Sequence, residues 1–500
     1  MRFISTLVLS TVVFLGGCSH FYHPTHGPTG CDNCPPTIDC PADLVQQPAP
    51  PPVDPRLEGE HPVDYFVGVA LAQNPEIQAK QRIVAARAQV IPQVTSLPDP
   101  MVTDTIYPFS DNTVQTAAGR FTNSMLITQK FPWCGKLQLR GEVADLETKI
   151  ALTDLAETQL KVIEAVKLSY YDLYFNQQAI EITKESEGLL KKLFIPFAEA
   201  RYRTGKTSQQ DVLRAQVELN KVQDQLVQLR RYLKVTQADL AKLLSTAPQT
   251  DFRVETLPDT PDLPKQFDAL YKAAVASRPE LQGKLHAVLR DQKKIDLAQL
   301  EYFPDVTVGL AWTSVSQSDA LASQIANGND AVGVLFSINL PIWKDKLNAG
   351  VSEAEQRTAA SARLYEAARD DTFRLIRRFS VQAQTFEEEI KLFKDQLIPK
   401  AEQTLKISFE DYRVGKIDAL QVIDNWLQLL RLRVQQVRLE ASLGQSLASL
   451  ERVVGTHAAA LQPGGSHPAC HPGLGFLPEG QNVPIRDIEL KQPRVLPVDQ

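Results

Sequence analysis

Cysteine and histidine side chains, which commonly bind transition metals, are concentrated towards the two ends of this 500-residue chain. The N-terminal group has the spacing C-x2-C-x5-C and is formed by Cys31, Cys34 and Cys40, just after His20, His23 and His26. A C-terminal group contains His457, His467, Cys470 and His471. Thiolates and imidazoles so placed predict a site for a soft ion, zinc or copper(I). A disulfide in an oxidising compartment, or cysteines without a role in an extended leader, are the alternatives.

The rest of the chain offers no constellation for catalysis. It contains no P-loop, no dinucleotide-binding glycine pattern after a strand, no H-E-x-x-H and no nucleophile elbow. Within the body of the chain histidine is scarce, with His61 and His286 as its representatives. The formal net charge of -6 provides no basic field for nucleic acid. We therefore expect a protein that is not an enzyme, needs no cofactor and binds no nucleic acid.

Residues 1–17 have the form of a secretory signal peptide. Arg2 supplies a positive charge, and the apolar stretch from Ile4 to Phe14 is too short for a transmembrane helix. The sequence Leu15-Gly16-Gly17-Cys18 resembles the lipobox of bacterial lipoproteins, which makes Cys18 the expected lipid (palmitate) attachment site. In proteins of that class a serine in the next position, here Ser19, favours sorting to the outer membrane. The alternative is an ordinary signal peptide with a chance cysteine.

Proline marks the two ends of the chain as extended segments. Eleven of the 33 prolines lie in residues 24–62 and seven in residues 463–497. Proline breaks helices, so these segments are unsuited to regular structure, whereas the body between them is free to be helical. We divide the chain into a signal peptide (1–17), a lipidated leader (18–61), a body and a flexible tail (456–500).

The body consists of two copies of one plan, residues 62–262 and 263–455. Three groups of motifs recur in the same order at a nearly constant separation of 204–210 residues. The pairs are Pro75-Glu76-Ile77 with Pro279-Glu280-Leu281, Phe131-Pro132-Trp133 and Lys136-Leu137 with Leu340-Pro341-Ile342-Trp343 and Lys346-Leu347, and Tyr202-Arg203-Thr204-Gly205-Lys206 with Tyr412-Arg413-Val414-Gly415-Lys416. Such order and spacing indicate a tandem duplication.

Each copy begins with helical stretches, at about 64–96 and 266–301, followed by two strand-like runs. The runs are about 101–109 and 120–131 in the first copy, and 305–314 and 331–340 in the second. Val306, Val308, Leu310 and Trp312 alternate with small or polar residues, which predicts one apolar face. The lengths are close to the 9–11 residues of a tilted strand that spans a bilayer. A pair of ordinary soluble hairpins is the alternative.

A long helical tract follows each pair of strands. Apolar residues alternate at spacings of three and four, as in the series Phe379, Ala383, Phe386, Ile390, Phe393 and Leu397. This heptad seam predicts coiled-coil packing. The tract from about 346 to 412 would be roughly 100 Å long at 1.5 Å per residue. A rod of this length suits a protein that crosses the periplasm.

The order helix–helix–strand–strand–helix–helix, present twice, resembles that of the TolC-like outer membrane factors, as do Asn74-Pro75-Glu76, Phe131-Pro132-Trp133 and the paired Tyr-x-x-Gly-Lys motifs. The resemblance covers about residues 62–455. It implies a mainly helical protein with four transmembrane β-strands and four long helical tracts per protomer, assembled into a trimeric α/β-barrel duct. The stretch from Phe131 to Leu137 most resembles the heavy-metal, cobalt–zinc–cadmium type branch.

The resemblance also implies partners and a location. The partners would be two further copies, a periplasmic adaptor protein, an inner-membrane pump and outer-membrane lipid, and the protein would extend from the bacterial outer membrane into the periplasm. Association has a physical reason as well, because four strands cannot close a barrel and open edges are excluded from lipid. We expect the outer-membrane channel of a tripartite efflux or secretion system. A periplasmic coiled-coil adaptor lipoprotein without its own pore is the alternative, and a barrel-free structural lipoprotein is a further one.

The turns at Gly205 and Gly415 would form the periplasmic tip, where glycine lets the chain reverse between two long helices. In the family a network of tyrosine, arginine and aspartate closes this tip. Carried over by position, the gate residues are Tyr412, Asp211, Gln421 and Asp424. Gln421 replaces an aspartate and Ile417 replaces the usual arginine, so we expect a substitute contact, Arg214–Asp424 or Lys416–Asp211. Solvated charges at helix ends are the alternative.

Overall fold

The computed structural model describes residues 52–107, 115–116, 119–205, 208–255, 267–316 and 329–455. The predicted signal peptide, the lipid site Cys18, the cysteines at 31, 34 and 40, and the tail 456–500 lie outside the described residues. Within the described part of the chain, no helix combines the length and apolar composition that crossing a membrane requires.

Helices make up most of the described chain. In chain order they are α1 (Val63–Gln73), α2 (Pro75–Ala88), α3 (Val90–Thr95), α4 (Lys136–Leu189), α5 (Ile195–Arg203), α6 (Gln209–Leu243), α7 (Phe267–Ser277), α8 (Pro279–Leu300), α9 (Lys344–Leu392), α10 (Ile398–Val414) and α11 (Ala419–Val454). A short 3-10 turn covers Pro55–Leu57. The predicted stretch 64–96 is therefore three helices. Asn74 separates the first two, because its side chain accepts a hydrogen bond from the Glu76 amide at the start of α2 (2.9 Å).

The strands form two sheets. They are β1 (Gly59–His61), β2 (Met101–Ile106), β3 (Gln115–Thr116), β4 (Gly119–Phe131), β5 (Phe252–Val254), β6 (Val306–Ser316) and β7 (Ala331–Ile338). The small sheet pairs β1 with β5 in parallel. The large sheet has the antiparallel order β2-β4-β6-β7, with β3 against β4. Strands therefore occupy all four predicted runs, and β2 and β7 form the two edges of this sheet.

One face of the large sheet is apolar and exposed. Cross-strand partners share a face, so the pairs Met125–Trp312, Ile127–Leu310, Leu310–Val334 and Val308–Phe336 place these side chains together. Phe336 is 73% exposed in the single chain. The opposite face carries small or polar residues such as Ser124 and Thr313, whose hydroxyl oxygens lie 3.3 Å apart. The alternation predicted for β6 thus extends across the sheet.

Each copy contains one long helical hairpin, α4–α5 with α6 and α9–α10 with α11. Each first arm contains one widened, π-helical turn, at Leu190–Phe194 and at Phe393–Leu397, and each turn is followed by an Ile-Pro pair. In both turns the isoleucine amide bonds to the carbonyl five residues earlier. The proline that follows has no N–H and would clash with the carbonyl four residues back in a regular α-helix. The predicted rod is thus a continuous helical run from Lys344 to Val414 with one widened turn.

The heptad seams form the contacts between these arms. Leu226 and Leu229 of α6 pack on Ala179 and Ile180 of α4. Further towards the tip, one cluster of buried residues contains members of both hairpins, including Phe194, Val222 and Trp426. A third cluster packs α1, α2 and β5 against the middle of α4 around Phe66 and Tyr170. Burial of these apolar seams joins the two copies into one body.

Partly buried ion pairs add to this contact between the copies. Lys167 of α4 pairs with Glu451 of α11, and Arg452 pairs with Glu157 (3.0 Å) and Glu164 (2.8 Å). All of these pairs connect the first copy with the end of the second. They fix the level at which α4 and α11 meet.

Candidate functional site

The tip of each hairpin depends on a glycine in the left-handed conformation. Gly205 has φ of +68° and Gly415 has φ of +87°, which L-residues with a side chain rarely adopt. Gly415 ends α10, and the next amide, of Lys416, returns to the Asp411 carbonyl at 2.9 Å. Both predicted turn glycines therefore lie where the chain reverses direction.

Tyr412, the predicted gate tyrosine, is buried against the first copy. Its side chain is 2% exposed. The ring stacks on Phe194 with centroids 6.0 Å apart and meets the edge of Phe197 at 5.6 Å. Aromatic pairs in these arrangements contribute about 0.5–1.5 kcal/mol beyond the area that they bury. Tyr412 thus joins the end of α10 to the end of the first arm of the other hairpin.

Arg201 completes this contact, and the sequence analysis did not identify it. Its guanidinium carbon lies 4.7 Å from the centroid of the Tyr412 ring. It donates hydrogen bonds to the carbonyl oxygens of Tyr412 and of Arg413, the latter at 3.5 Å. Those carbonyls belong to the last turn of α10, so Arg201 caps the negative end of that helix from the other hairpin. The signal that could have found it is its position directly before the Tyr202–Gly205 motif.

The other predicted gate residues lie around the two turns. Asp211 is half-buried in the first turn of α6, and Arg214, Gln421 and Asp424 are exposed. The amide of Gln421 donates a hydrogen bond to the Asp418 side chain, which caps α11. Neither Arg214 nor Asp424 forms an ion pair within the described part of one chain.

Within one protomer, Lys416 pairs with Asp411 at 3.4 Å. The physical reason is the left-handed turn at Gly415, which folds Lys416 back over the last turn of its own helix. The Lys416–Asp211 contact stays a prediction. The contact that joins the two hairpins here is made by Arg201 and Tyr412.

A second cluster of charged groups lies where the large sheet meets the helices. The ammonium of Lys136, the first residue of α4, is 1% exposed. It contacts the Asp305 carboxylate at 2.8 Å, the Phe303 carbonyl oxygen at 3.3 Å and the Glu301 carboxylate at 3.5 Å. Trp133 stacks on Phe303 with centroids 5.2 Å apart. We call this cluster, formed by Trp133, Lys136, Phe303 and Asp305, the internal junction.

Asp305 precedes the first residue of β6 and connects several elements. Its carboxylate accepts hydrogen bonds from Lys136 and from the Trp133 amide (3.0 Å), and it pairs with Lys130 of β4 at 3.0 Å. The Asp305 amide donates to the side chain of Asn339, beyond β7. Burial alone would raise the pKa of Asp305, but these donors outweigh burial and lower the pKa to about 2.

Acid should therefore weaken the internal junction. A carboxyl group whose pKa is depressed on folding stabilises the protein above its ordinary pKa, here 3.8, and this contribution disappears as pH falls towards about 2. We expect a loss on the order of 2 kcal/mol between pH 4 and pH 2. Urea titrations of wild-type and Asp305→Asn protein across this range measure it. An unchanged difference between the two proteins at all pH values would contradict the assignment.

One of the six cysteines, Cys134, lies among the described residues. Cys31, Cys34 and Cys40 lie outside the described residues, as does Cys18. Cys134, in the turn between β4 and α4, is exposed and forms no disulfide within the described chain. Among the described residues, no group of three histidine, cysteine or acidic side chains is placed to hold a metal ion.

Comparison with known proteins gives consistent matches. The family model described as outer membrane efflux protein matches residues 67–246 and 270–456. The toxin and drug export protein A of Aggregatibacter actinomycetemcomitans is 24% identical over 243 residues, which are 48% of this chain and 52% of that protein. The chain thus aligns with about half the length of this curated relative.

Solved structures share the fold. A crystal structure of CusC, described for its folding and transmembrane channel formation, matches with a TM-score of 0.69 and 17% identity, over 80% of this chain and 93% of CusC. The outer membrane protein VceC of Vibrio cholerae matches with a TM-score of 0.66 and 19% identity, over 79% and 96% of the two chains. The open state of the MtrE outer membrane channel of Neisseria gonorrhoeae matches with a TM-score of 0.64 and 14% identity, over 82% and 98%.

Proposed function

Since this chain belongs to the outer membrane efflux protein family, a family of transport channels and not of enzymes, we propose that it is the outer-membrane channel of a tripartite efflux or secretion system. Substrate would pass from the periplasm-spanning complex through the helical part and leave the cell through the strands. The proposed partners are a periplasmic adaptor protein and an inner-membrane pump. The alternative of an adaptor without its own pore is not favoured, because the family match covers both halves of the body.

The observation that carries this proposal is the large sheet. Its exposed apolar face, which includes Ile127, Leu310, Val334 and Phe336, suits the hydrocarbon of a bilayer. The edges β2 and β7 have unpaired backbone groups within the described chain, and lipid cannot satisfy them. Further copies of the same sheet can, because β7 of one chain and β2 of the next would again be antiparallel. We propose three copies and twelve long strands, in line with the family resemblance.

The anchoring and the periplasmic part follow from the same proposal. A lipid on Cys18 would hold the N-terminus at the outer membrane, and the long hairpins would extend into the periplasm. The resemblance of Phe131–Leu137 to the heavy-metal branch, and metal binding by Cys31, Cys34 and Cys40, stay predictions.

At the tip, we propose that the gate residues act between neighbouring copies. Asp424 and Arg214 are exposed and unpaired within the described part of one chain, which leaves both available to an adjacent protomer. Exposed pairs of this kind contribute about 0–1 kcal/mol each, so a docked adaptor could separate them. The contact between Tyr412 and Arg201 would hold the two hairpins of one chain together close to these gate residues.

The test uses full-length protein extracted from outer membranes in detergent. We expect a native mass of three chains and discrete single-channel currents after insertion into planar bilayers. The double variant Asp211→Ala/Asp424→Ala should raise the conductance of the closed channel, whereas Asp224→Ala, an exposed aspartate further along α6, should not. A monomeric protein without channel activity would contradict the proposed function. Unchanged conductance in the double variant would contradict the gate alone.

A further inference from the structure

The internal junction lies at the boundary between the two copies within one chain. It joins the end of β4, which continues through Trp133 into Lys136, to the start of β6, which follows Phe303 and Asp305. The register pairs Phe131 with Val306, so the end of one strand lies beside the start of the next. Lys136 and Asp305 therefore meet where a strand that ends and a strand that starts are neighbours.

The same residue types recur at the two outer edges of the sheet. Before β2 the sequence reads Leu97-Pro98-Asp99, which corresponds to Phe303-Pro304-Asp305 before β6. After β7, Trp343 and Lys346 are separated by the same spacing as Trp133 and Lys136 after β4. One edge thus carries the carboxylate half of a second junction, and the other edge carries the tryptophan and ammonium half.

In the single chain the side chains of both halves are exposed to solvent. Trp343 is 74% exposed and Leu97 is 47% exposed. Asp99 and Lys346 are both exposed, and neither side chain forms an ion pair or a hydrogen bond within the described part of the chain. Their counterparts in the internal junction are buried: the Lys136 side chain is almost inaccessible and Asp305 is nearly so.

The direction of the strands brings the two halves together between chains. The strands β2, β4, β6 and β7 alternate in direction. If this antiparallel order continues from one chain to the next, the end of β7 in one chain lies beside the start of β2 in the other. The end of β7 is followed by Trp343 and Lys346, and the start of β2 is preceded by Asp99. This repeats the geometry of β4 and β6.

We propose that Lys346 of one subunit binds Asp99 of the next, with Trp343 covering the partner subunit's Leu97, so that each boundary between subunits is closed by a junction like the internal one. This inference rests on the proposed oligomeric channel and adds the residues that join its subunits. The occupant of each open edge is a second copy of this chain. Opposite charges on opposite edges also set the direction in which subunits join.

Charge exchange tests the proposal on the full-length protein in detergent. Asp99→Lys and Lys346→Asp should each lower the ratio of oligomer to monomer by about tenfold or more, because a like charge then faces the seam. The double variant Asp99→Lys/Lys346→Asp should recover most of the oligomer. Lys344→Asp is the matched control, since Lys344 is an exposed lysine at the start of the same helix, and it should leave the ratio near that of the wild type.

Crosslinking provides a readout that does not depend on stability. In a background with Cys31, Cys34, Cys40, Cys134 and Cys470 replaced by serine, the pair Asp99→Cys/Lys346→Cys should give covalent dimers and trimers with a short thiol crosslinker. Either cysteine alone should give none.

The outcomes separate the two proposals. An oligomeric wild type with no rescue by charge exchange and no crosslinking overturns the Asp99–Lys346 contact and leaves the proposed function standing. A wild type that is monomeric after extraction overturns the proposed function itself.

Discussion

Replacing Lys136 with methionine is expected to destabilise the protein by about 3 kcal/mol, the largest effect of any single substitution that we predict. Methionine keeps most of the volume of the buried lysine stem but leaves the buried Asp305 without its nearest cation. The expected cost lies at the low end for a broken buried pair, because Lys130 remains 3.0 Å from the other carboxylate oxygen. Equilibrium urea titration of the protein in lipid vesicles measures the change in the free energy of unfolding.

Lys149→Met is the matched control. Lys149 lies on the same helix and pairs with Asp145 at 2.9 Å, but both side chains are well exposed. Removing an exposed pair costs about 0–1 kcal/mol. If the two lysine variants lose the same stability, the contacts of Lys136 within the internal junction do not stabilise the fold as argued.

Replacing Arg201 with alanine is expected to shift the channel towards its open state by about tenfold. The side chain contributes a cation–π contact with Tyr412 and hydrogen bonds to the end of α10. These contacts together are worth roughly 1–3 kcal/mol, and they connect the two hairpins of one chain at the tip. If the closed tip depends on this connection, losing it raises the fraction of time spent open in single-channel recordings.

Arg203→Ala controls for the loss of a positive charge near the tip. Arg203 is exposed in the last turn of the same helix and should change the open fraction little. The native mass of both variants should stay that of the wild type, because the whole length of α4 lies between the sheet and Arg201. An Arg201→Ala channel that opens no more often than the Arg203→Ala channel would show that this contact does not hold the tip closed.

The sequence was sufficient to predict the elements but not the contacts between distant ones. Alternation along β6 and the three-four spacing in α9 reflect local geometry, so both were readable without a structure. The role of Lys136 was not, because its partner Asp305 lies 169 residues away in the sequence. The contact of Arg201 with Tyr412 joins residues 211 positions apart and was missed for the same reason.

The widened turns show a different kind of omission. Ile195-Pro196 and Ile398-Pro399 both stand inside apolar patterns that otherwise continue as helix. The prolines were visible in the sequence, but the heptad spacing around Phe393 and Leu397 indicated an unbroken rod. The structure shows that the rod is continuous and that the helix absorbs each proline by widening for one turn. A helix can therefore contain a proline in its interior when the preceding turn is free to expand.

Because both hairpins carry their widened turn in the same arm and directly before the same Ile-Pro pair, an assembled tube would contain a ring of softer points at these positions. Such turns bend more easily than regular helix. The helical segments between these turns and the tip could then move as units, while the sheet and its junctions at the other end keep their shape. Movement of the hairpin tips would then not be transmitted to the large sheet.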